Sequence, residues 1–307
     1  MNPVFDQCRL TVFERGWLSS NNVLFDGDSE SAPVLIDSGH CRHASQTVAL
    51  VRAALASRTL ARVVNTHLHS DHCGGNAALQ DAFSCAVDVP AGEVAKVDAW
   101  DEAALTFVAT GQRCPRFVRS GAVAAGEVLQ LGGRAWEAVA APGHDPESVM
   151  LYQPDHRVLI SADALWEDGF GVIFPELEGQ NAFETARQTL DSIASLKAEW
   201  VIPGHGAPFS NAAAALERAF RRLDGFVAKP RRHALHAVKV LIKFHLLDVQ
   251  SILEADLLRW MAQTPYFELI WQKYFDAEHQ GAWLRRLITE LVERHALRFD
   301  GLSIHNA

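Results

Sequence analysis

The sequence predicts a mixed α/β (α+β) fold, and three observations along its 307 residues support this prediction. Short apolar or β-branched runs recur between clusters of Gly, Asn, Asp and Ser, which is typical of strands and turns. Other segments carry apolar residues at helical spacing. Hydrophobic residues make up 49% of the chain, which is enough material for a sizeable core.

The first forty residues predict a β-meander. Three apolar runs, LTVFERG, NNVLFDG and PVLIDSG, are separated by turn-forming residues. A helix is predicted from about Ser45 to Ser57, where Val48, Val51 and Leu55 recur at helical spacing. The run ARVVNTH then predicts a return to strand.

The stretch from Val63 to Asn76, VVNTHLHSDHCGGN, concentrates ionisable side chains directly after a short apolar run. Its polar residues and glycines cannot continue the strand, so the chain is expected to turn into a loop. In an extended loop, His67 and His69 can point the same way and share one cation, whereas a helix would separate them. Asp71 and His72 then offer an oxygen and a nitrogen to a second cation nearby.

Three later apolar runs end in side chains of the same kinds. RAWEAVAAPGH ends in His144, RVLISADALW delivers Asp163, and EWVIPGHG delivers His205. A carboxylate at a strand end can bridge two cations about 3.5 Å apart. If buried, such a carboxylate would be costly without their positive charge.

The motif THLHSDH resembles the HxHxDH signature of the metallo-β-lactamase-fold hydrolases. The segment GHDPES is similar to the GHTxGS segment of that fold, although Asp145 and Pro146 stand where Thr and Pro or Ala are common. The resemblance covers roughly residues 8 to 226. It implies an αββα sandwich, in which two mixed sheets pack together with helices outside and metals at one edge.

The resemblance also implies a binuclear metal site with seven ligands. The first metal takes three histidines, the second takes an aspartate and two histidines, and one aspartate bridges: His67, His69 and His144; Asp71, His72 and His205; Asp163. Asp37 is expected as a supporting residue beside these ligands. The donor set suits two Zn²⁺ ions, while iron or manganese stays open.

The resemblance implies a hydrolase of the glyoxalase II-like or lactonase-like branch. Water held between two divalent cations loses a proton near neutral pH, so we expect metal-bound hydroxide to attack a carbonyl ester, thioester or lactone. Asp71 is expected to orient this hydroxide and to pass a proton to the leaving group. Two alternatives stay open: a ribonuclease or phosphodiesterase of the same fold, and an enzyme like the mononuclear iron persulfide dioxygenases.

Aromatic residues that follow Asp163 predict the substrate pocket: Trp166, Phe170 and Phe174. The poorly patterned segment 100–120 is expected to help shape the entrance. Several lactonases and glyoxalase II enzymes use a tyrosine near the metals, but the tyrosines here lie outside the segment after Asp163: Tyr152, Tyr266 and Tyr274.

The Lys229-Pro230 step predicts a domain boundary, because the residue before proline is biased away from helix. Residues 1–229 would then form the catalytic domain and residues 230–307 a helical C-terminal domain. Three helical periods followed by a hairpin near Asp300 resemble a small winged-helix-like appendage. Its scattered acidic residues disfavour DNA, so packing or homodimerisation is expected of it.

A net charge of −9 disfavours nucleic acid as a partner, so we expect a small-molecule substrate. One basic run is the local exception: Arg221, Arg222, Lys229, Arg231, Arg232, Lys239 and Lys243. It is expected to be a solvated face, or alternatively to bind an anionic substrate tail such as coenzyme A, glutathione or an RNA backbone.

Cysteine usage and hydropathy bear on the location of the protein. Five cysteines without CxxC pairing fit a reducing compartment better than a disulfide framework. The sequence shows neither a basic stretch followed by an apolar run at its start nor eighteen consecutive apolar residues. A cytoplasmic enzyme with no membrane insertion is therefore expected.

Overall fold

A computed structural model describes residues 2–27 and 31–307. Its first sheet has six strands: β1 Leu10–Phe13, β2 Asn22–Phe25, β3 Val34–Ile36, β4 Arg62–Val64, β5 Ala86–Pro90 and β6 Gly121–Val123. These strands lie side by side in chain order. The pairs from β1 to β3 are antiparallel and those from β3 to β6 are parallel. The predicted β-meander is therefore present.

The second sheet has five strands: β7 Val128–Leu131, β8 Arg134–Ala140, β9 Val149–Gln153, β10 Val158–Ala162 and β11 Trp200–Pro203. Their order in the sheet is β11-β10-β9-β8-β7. All neighbours are antiparallel except β10 and β11, which are parallel because α-helical chain connects them.

Helices connect and flank these strands. They are α1 Pro3–Gln7, α2 Ala44–Leu55, α3 Ser70–Cys73, α4 Asn76–Phe83, α5 Val94–Ala99, α6 Phe107–Thr110, α7 Phe174–Leu177, α8 Ala182–Leu196 and α9 Ala212–Ala228. Short 3₁₀ turns precede two of them, at Cys41–His43 and Ala91–Glu93. The helix expected from Ser45 to Ser57 corresponds to α2.

Side chains alternate between the two faces of each sheet, so that the inner faces share one apolar core and each outer face packs in a core of its own. Phe25 of β2 and Trp136 of β8 lie between the sheets, with ring centroids 5.0 Å apart. Leu24 points the other way and packs beneath α2, while Leu159 of β10 packs against α8 and α9. Because strand side chains alternate, one apolar run can serve both cores. The result is the αββα sandwich that the resemblance implied.

The C-terminal region is largely helical. Its elements are α10 Pro230–Val249, β12 Ser251–Leu253, α11 Glu254–Gln263, α12 Pro265–Tyr274, α13 Gln280–Glu293, β13 Leu297–Phe299 and β14 Ser303–Asn306. The three strands form an antiparallel sheet in the order β12-β14-β13. The hairpin near Asp300 is present, and the structure adds α12 and β12 to the expected elements.

One apolar cluster joins this region to the sandwich. Val172, Phe174 and Leu177, which follow β10, pack in the same buried cluster as side chains of α10 to α13. Pro230 occupies the first turn of α10, where its missing N–H costs nothing. The division into domains at residue 229 stays a prediction. Among the residues described, no helix combines the length and the apolarity needed to cross a membrane.

Trp136 tests the packing between the sheets. It is fully buried, so Trp136→Ala should lower the free energy of unfolding by about 3–5 kcal/mol through lost burial and a residual cavity. Urea denaturation followed by circular dichroism measures this change. The control is Val128→Ala on neighbouring β7, where the side chain is 55% exposed and the change should stay within about 0.5 kcal/mol.

Candidate metal centre

The seven expected ligand residues come together at one edge of the sandwich, where strands of both sheets end. Each of them is buried: His67, His69, Asp71, His72, His144, Asp163 and His205. The chain leaves β4 as a loop and re-forms as α3, with His69 at the helix N-cap position. That loop-to-helix turn is why two histidines and the Asp71-His72 pair can face one centre.

The first group comprises His67, His69 and His144. One ring nitrogen from each lies within 4.8 Å of the others, and His69 Nδ1 is 2.7 Å from His144 Nε2. Burial is the main cause of the lowered pKa values in this group. It lowers the pKa of His69 and of His144 to about 4, and that of His67 well below its usual value. These imidazoles are therefore neutral, which is the form that binds a cation.

The second group comprises Asp71, His72 and His205, whose ligand atoms also lie within 4.8 Å of one another. His205 Nε2 is 3.0 Å from Asp71 Oδ2, and His72 Nε2 is 4.0 Å from the same oxygen. Burial alone would raise the pKa of Asp71, but the field of His72 and the contact with His205 lower it to about 2. Asp71 is thus a carboxylate at neutral pH.

Asp163 lies between the two groups. Its Oδ2 is 3.5 Å from His144 Nε2, while its Oδ1 is 3.4 Å from His72 Nε2 and 3.8 Å from His205 Nε2. Each carboxylate oxygen therefore faces one group. Trp166 Nε1 donates a hydrogen bond of 3.2 Å to Asp163 Oδ1 and fixes the orientation of the carboxylate.

The site fits divalent metal ions. His67 Nε2 and His72 Nε2 are buried and have no hydrogen-bond partner among the described residues. Leaving such nitrogens unpaired is costly, and a cation between the converging atoms would satisfy both. Imidazole nitrogens together with carboxylate oxygens are donors that Zn²⁺, iron and manganese accept. The His/Asp cluster implies divalent metal ions, and their identity is left open by the donor set.

A second layer of hydrogen bonds orients these side chains. Asp37 Oδ2 accepts from His72 Nδ1 at 2.8 Å, and Asp37 also accepts from the backbone N–H and the hydroxyl of Thr66, both at 2.8 Å. His144 Nδ1 lies 2.5 Å from the carbonyl oxygen of Val172 and donates to it. Such partners fix the ring orientation and leave the opposite nitrogen free for a cation.

Two glycines allow the backbone to pass close to the ligands. A Cβ atom on Gly204 would lie 2.2 Å from Asp163 Oδ1, and one on Gly171 would lie 2.5 Å from His144 Nδ1. Both separations are far shorter than real Cβ contacts, so any larger residue would displace the side chain of Asp163 or His144. The PGHG turn carries a signal for Gly204, whereas the sequence gives no comparable signal for Gly171.

A cavity of about 680 Å³ opens over the ligand cluster. The three aromatic residues expected in the pocket, Trp166, Phe170 and Phe174, all line this cavity. Two residues of segment 100–120 also line it, Thr110 and Gln112. None of the three tyrosines lines this cavity. Sequence reasoning missed Trp17, which stacks on His205 with ring planes 9° apart yet stays 59% exposed.

The C-terminal helical region supplies one wall of the cavity. The contributing residues of α10 are His236, Val240, Leu241, Lys243, Phe244 and Leu247. We expected packing or dimerisation of this region, and the structure adds the role of a pocket wall. Of the seven residues in the basic run, only Arg222 and Lys243 line the cavity, so the run does not face the ligands as a group.

Comparisons with known proteins agree with this geometry. The sequence matches the family model of the metallo-beta-lactamase superfamily over residues 15–205. It is 26% identical over 216 residues to a hydroxyacylglutathione hydrolase of Hyphomonas neptunium, covering 68% of this chain and 75% of that protein. A hydroxyacylglutathione hydrolase of Mesorhizobium japonicum is 31% identical over 155 residues, which is 50% of this chain and only about half (51%) of that relative's length.

Solved structures share the fold. A metallo-beta-lactamase family protein of Thermus thermophilus superposes with a TM-score of 0.59 at 18% identity, covering 97% of this chain and 99% of that one. A protein solved in a di-iron-bound form has a TM-score of 0.53 at 25% identity, covering 68% and 96% of the two chains. With the family match spanning more than half of its length, this chain belongs to the metallo-beta-lactamase superfamily.

Proposed function

We propose that this protein is a binuclear metal-dependent hydrolase that cleaves an acyl thioester, with carbonyl esters and lactones as related substrates. The observation that carries the proposal is Asp163, whose two oxygens face two separate groups of ligand atoms. The two hydroxyacylglutathione hydrolase relatives support the choice of thioester, because acylglutathione is a thioester. The cavity above the ligands supports a small-molecule substrate.

We propose the same ligand assignment that the resemblance implied. The first metal would be held by three histidines, the second by an aspartate and two histidines, and one aspartate would bridge: His67, His69 and His144; Asp71, His72 and His205; Asp163. When bound, two divalent cations supply an activated water and polarise the carbonyl oxygen of the substrate. Zn²⁺ is the proposed metal, and the similar di-iron protein makes iron the main alternative.

The residues of the chain account for the rest of the chemistry. Asp71 is ionised and open to the cavity, so its carboxylate can orient a water molecule and accept or return a proton. Phe170, Phe174 and Trp166 cover the site with apolar surface and limit competing water. In such surroundings a charge that develops on the substrate interacts more strongly with the centre than it would in bulk water.

The ribonuclease alternative has less support. A polyanion would need several cations beside the ligands, but most of the basic run lies elsewhere. Lys239 pairs with Glu290, Arg221 pairs with Glu217, and Arg231 lies over the ring of Phe275. These pairings favour the small-molecule function.

Metal content is the first test of the proposed function. Protein purified without added metal or chelator should contain about two zinc ions per chain by elemental analysis, because the site offers two groups of ligands. The loaded protein should hydrolyse members of a thioester, ester and lactone panel. One iron per chain, together with oxygen uptake on a persulfide, would overturn the hydrolase proposal in favour of the dioxygenase-like alternative.

Asp71 tests the proton-handling step. Asp71→Asn should lower kcat by about 10²–10⁴-fold, since the amide cannot accept a proton. The control is Asp81→Asn, an exposed aspartate on α4 whose change should leave kcat as in the wild type. Metal content is measured alongside, because a variant that keeps both metals and full kcat would rule out this role for Asp71.

Substitution of Asp37 tests whether its hydrogen bond to His72 supports binding of the second metal. Asp37→Ala removes the acceptor of His72 Nδ1, and the metal affinity should fall about 10–100-fold. Competition with a chromogenic chelator measures the affinity. Asp191→Ala, on the exposed face of α8, is the matched control. Equal metal affinities in the two variants would mean that Asp37 has only a local structural role.

A further inference from the structure

Arg222 is a cation in the wall of the active-site cavity that has no acidic partner in the described part of the chain. It lies on α9 and is partly buried. No carboxylate among the described residues forms an ion pair with it. Its guanidinium lies over the rings of Phe170 and Phe226, 5.6 and 5.4 Å from their centroids. These two rings hold the group in place without neutralising its charge.

The hydrogen bonds of Arg222 leave most of its donors unused. Nη2 donates to His236 Nε2 at 2.8 Å, and Nη1 makes only a long contact of 3.4 Å with the carbonyl oxygen of Asp168. The carboxylate of Asp168 is engaged by Arg218 at 3.0 Å. A guanidinium carries five N–H donors in a planar fork that matches a carboxylate, so this side chain has capacity for a ligand.

The electrostatic surroundings leave the charge of Arg222 uncompensated by the described side chains. Burial, and after it the charge of Arg232, lowers the pKa of Arg222, which indicates that no acidic group compensates its charge. The pKa of His236 is lowered to about 4 by burial, so this partner is neutral. Within the described part of the lining near Arg222, the acidic group without an ion pair is Glu167, which lies on the exposed loop. An uncompensated charge in such a position is costly unless a ligand pairs with it.

Lys243, the other basic residue of the cavity wall, is not available in the same way. Its ammonium donates to Ala296 O at 2.8 Å, Asn306 Oδ1 at 2.6 Å and Ala307 O at 2.8 Å. A lysine has three donors, so all of them are used to hold the end of the described chain against α10. Of the two basic side chains that line the described wall, Arg222 is thus the one with free donors.

Two glycines limit the distance between Arg222 and the ligand cluster. A Cβ on Gly169 would touch Arg222 Nη1 at 2.8 Å, and a Cβ on Gly171 would touch His144 Nδ1 at 2.5 Å. Because these glycines are two residues apart, the guanidinium and the His144 ring are separated by at most about 15 Å. One small molecule can span that distance within the same cavity.

We propose that Arg222, supported by His236, binds a carboxylate of the substrate that is joined to the scissile carbonyl group by a short apolar segment. The apolar segment lies against one face of α10, where Val240, Phe244 and Leu247 recur at helical spacing and line the cavity. This inference rests on the proposed thioesterase function and names the substrate class: carboxylate-bearing acyl thioesters.

Matched substrates test this subsite. Thioesters with two to six methylenes are made in pairs that end in a carboxylate or in the isosteric carboxamide, with that group on the acyl or on the thiol side. For at least one pair, kcat/KM of the carboxylate member should exceed that of its carboxamide by about 10–100-fold, the range expected of a charge-assisted hydrogen bond. The ratio should fall as salt is added.

Variants of Arg222 test whether this side chain causes the preference for the carboxylate substrate. Arg222→Gln should reduce the ratio to about one, and Arg222→Lys, which keeps the charge but loses the planar fork, should give an intermediate ratio. Arg221→Gln is the matched control, because this neighbouring arginine is exposed and pairs with Glu217. Thermal unfolding followed by circular dichroism checks that each variant folds. If Arg222→Gln does not fold, Arg222→Lys, whose longer side chain can still pack on the rings of Phe170 and Phe226, serves as the test.

The outcomes separate this inference from the proposed function. Hydrolysis without a carboxylate preference, or with a preference that survives Arg222→Gln, would overturn the subsite and leave the thioesterase intact. If no thioester is hydrolysed, the thioesterase proposal fails. The carboxylate subsite is then tested by itself, by measuring with calorimetry the binding of non-hydrolysable thioether analogues that end in a carboxylate or in a carboxamide. Tighter binding of the carboxylate thioether by the wild type than by Arg222→Gln supports it, and equal binding overturns it.

Discussion

The convergence of five imidazoles and two carboxylates in one buried site is the constraint on which the rest of this structure depends. Without cations, this arrangement leaves the buried Nε2 atoms of His67 and His72 without a hydrogen-bond partner among the described residues, which is costly. The packing of the two sheets must therefore hold the strand ends in place against an unfavourable local free energy. The three layers of apolar side chains between and outside the sheets supply that stability.

The clustering of the expected ligand residues at strand ends could be predicted because its signal is local in the sequence. An apolar run followed within a few residues by His or Asp indicates both where a strand ends and which side chain lies at that end, as for His67, Asp163 and His205. For these residues a short window of sequence contains nearly all the relevant physics. The two-sheet architecture, in contrast, was implied by the resemblance of THLHSDH to the signature of the metallo-β-lactamase fold.

Other parts of the site depend on contacts between distant segments. The residues that flank Trp17 in the sequence do not predict that it stacks on His205, and those that flank Arg222 do not predict the cavity that it lines. The helix α12 escaped prediction although Phe267, Ile270 and Tyr274 recur at helical spacing, because it is only ten residues long and begins directly after α11 ends at Gln263. The role of α10 as a pocket wall likewise follows from tertiary packing, which its helical period does not encode.

Val172 connects two parts of the molecule that lie far apart in the sequence. Its carbonyl oxygen holds the His144 ring, while its side chain packs in the apolar cluster of the C-terminal helices. Folding of those helices and occupancy of the metal centre are therefore thermodynamically linked, and linkage of this kind is reciprocal. A change that destabilises the C-terminal region lowers the affinity of the site for metal, and loss of metal destabilises that region in return. The metal affinity of the centre thus depends on the stability of a region that contributes none of the proposed ligands.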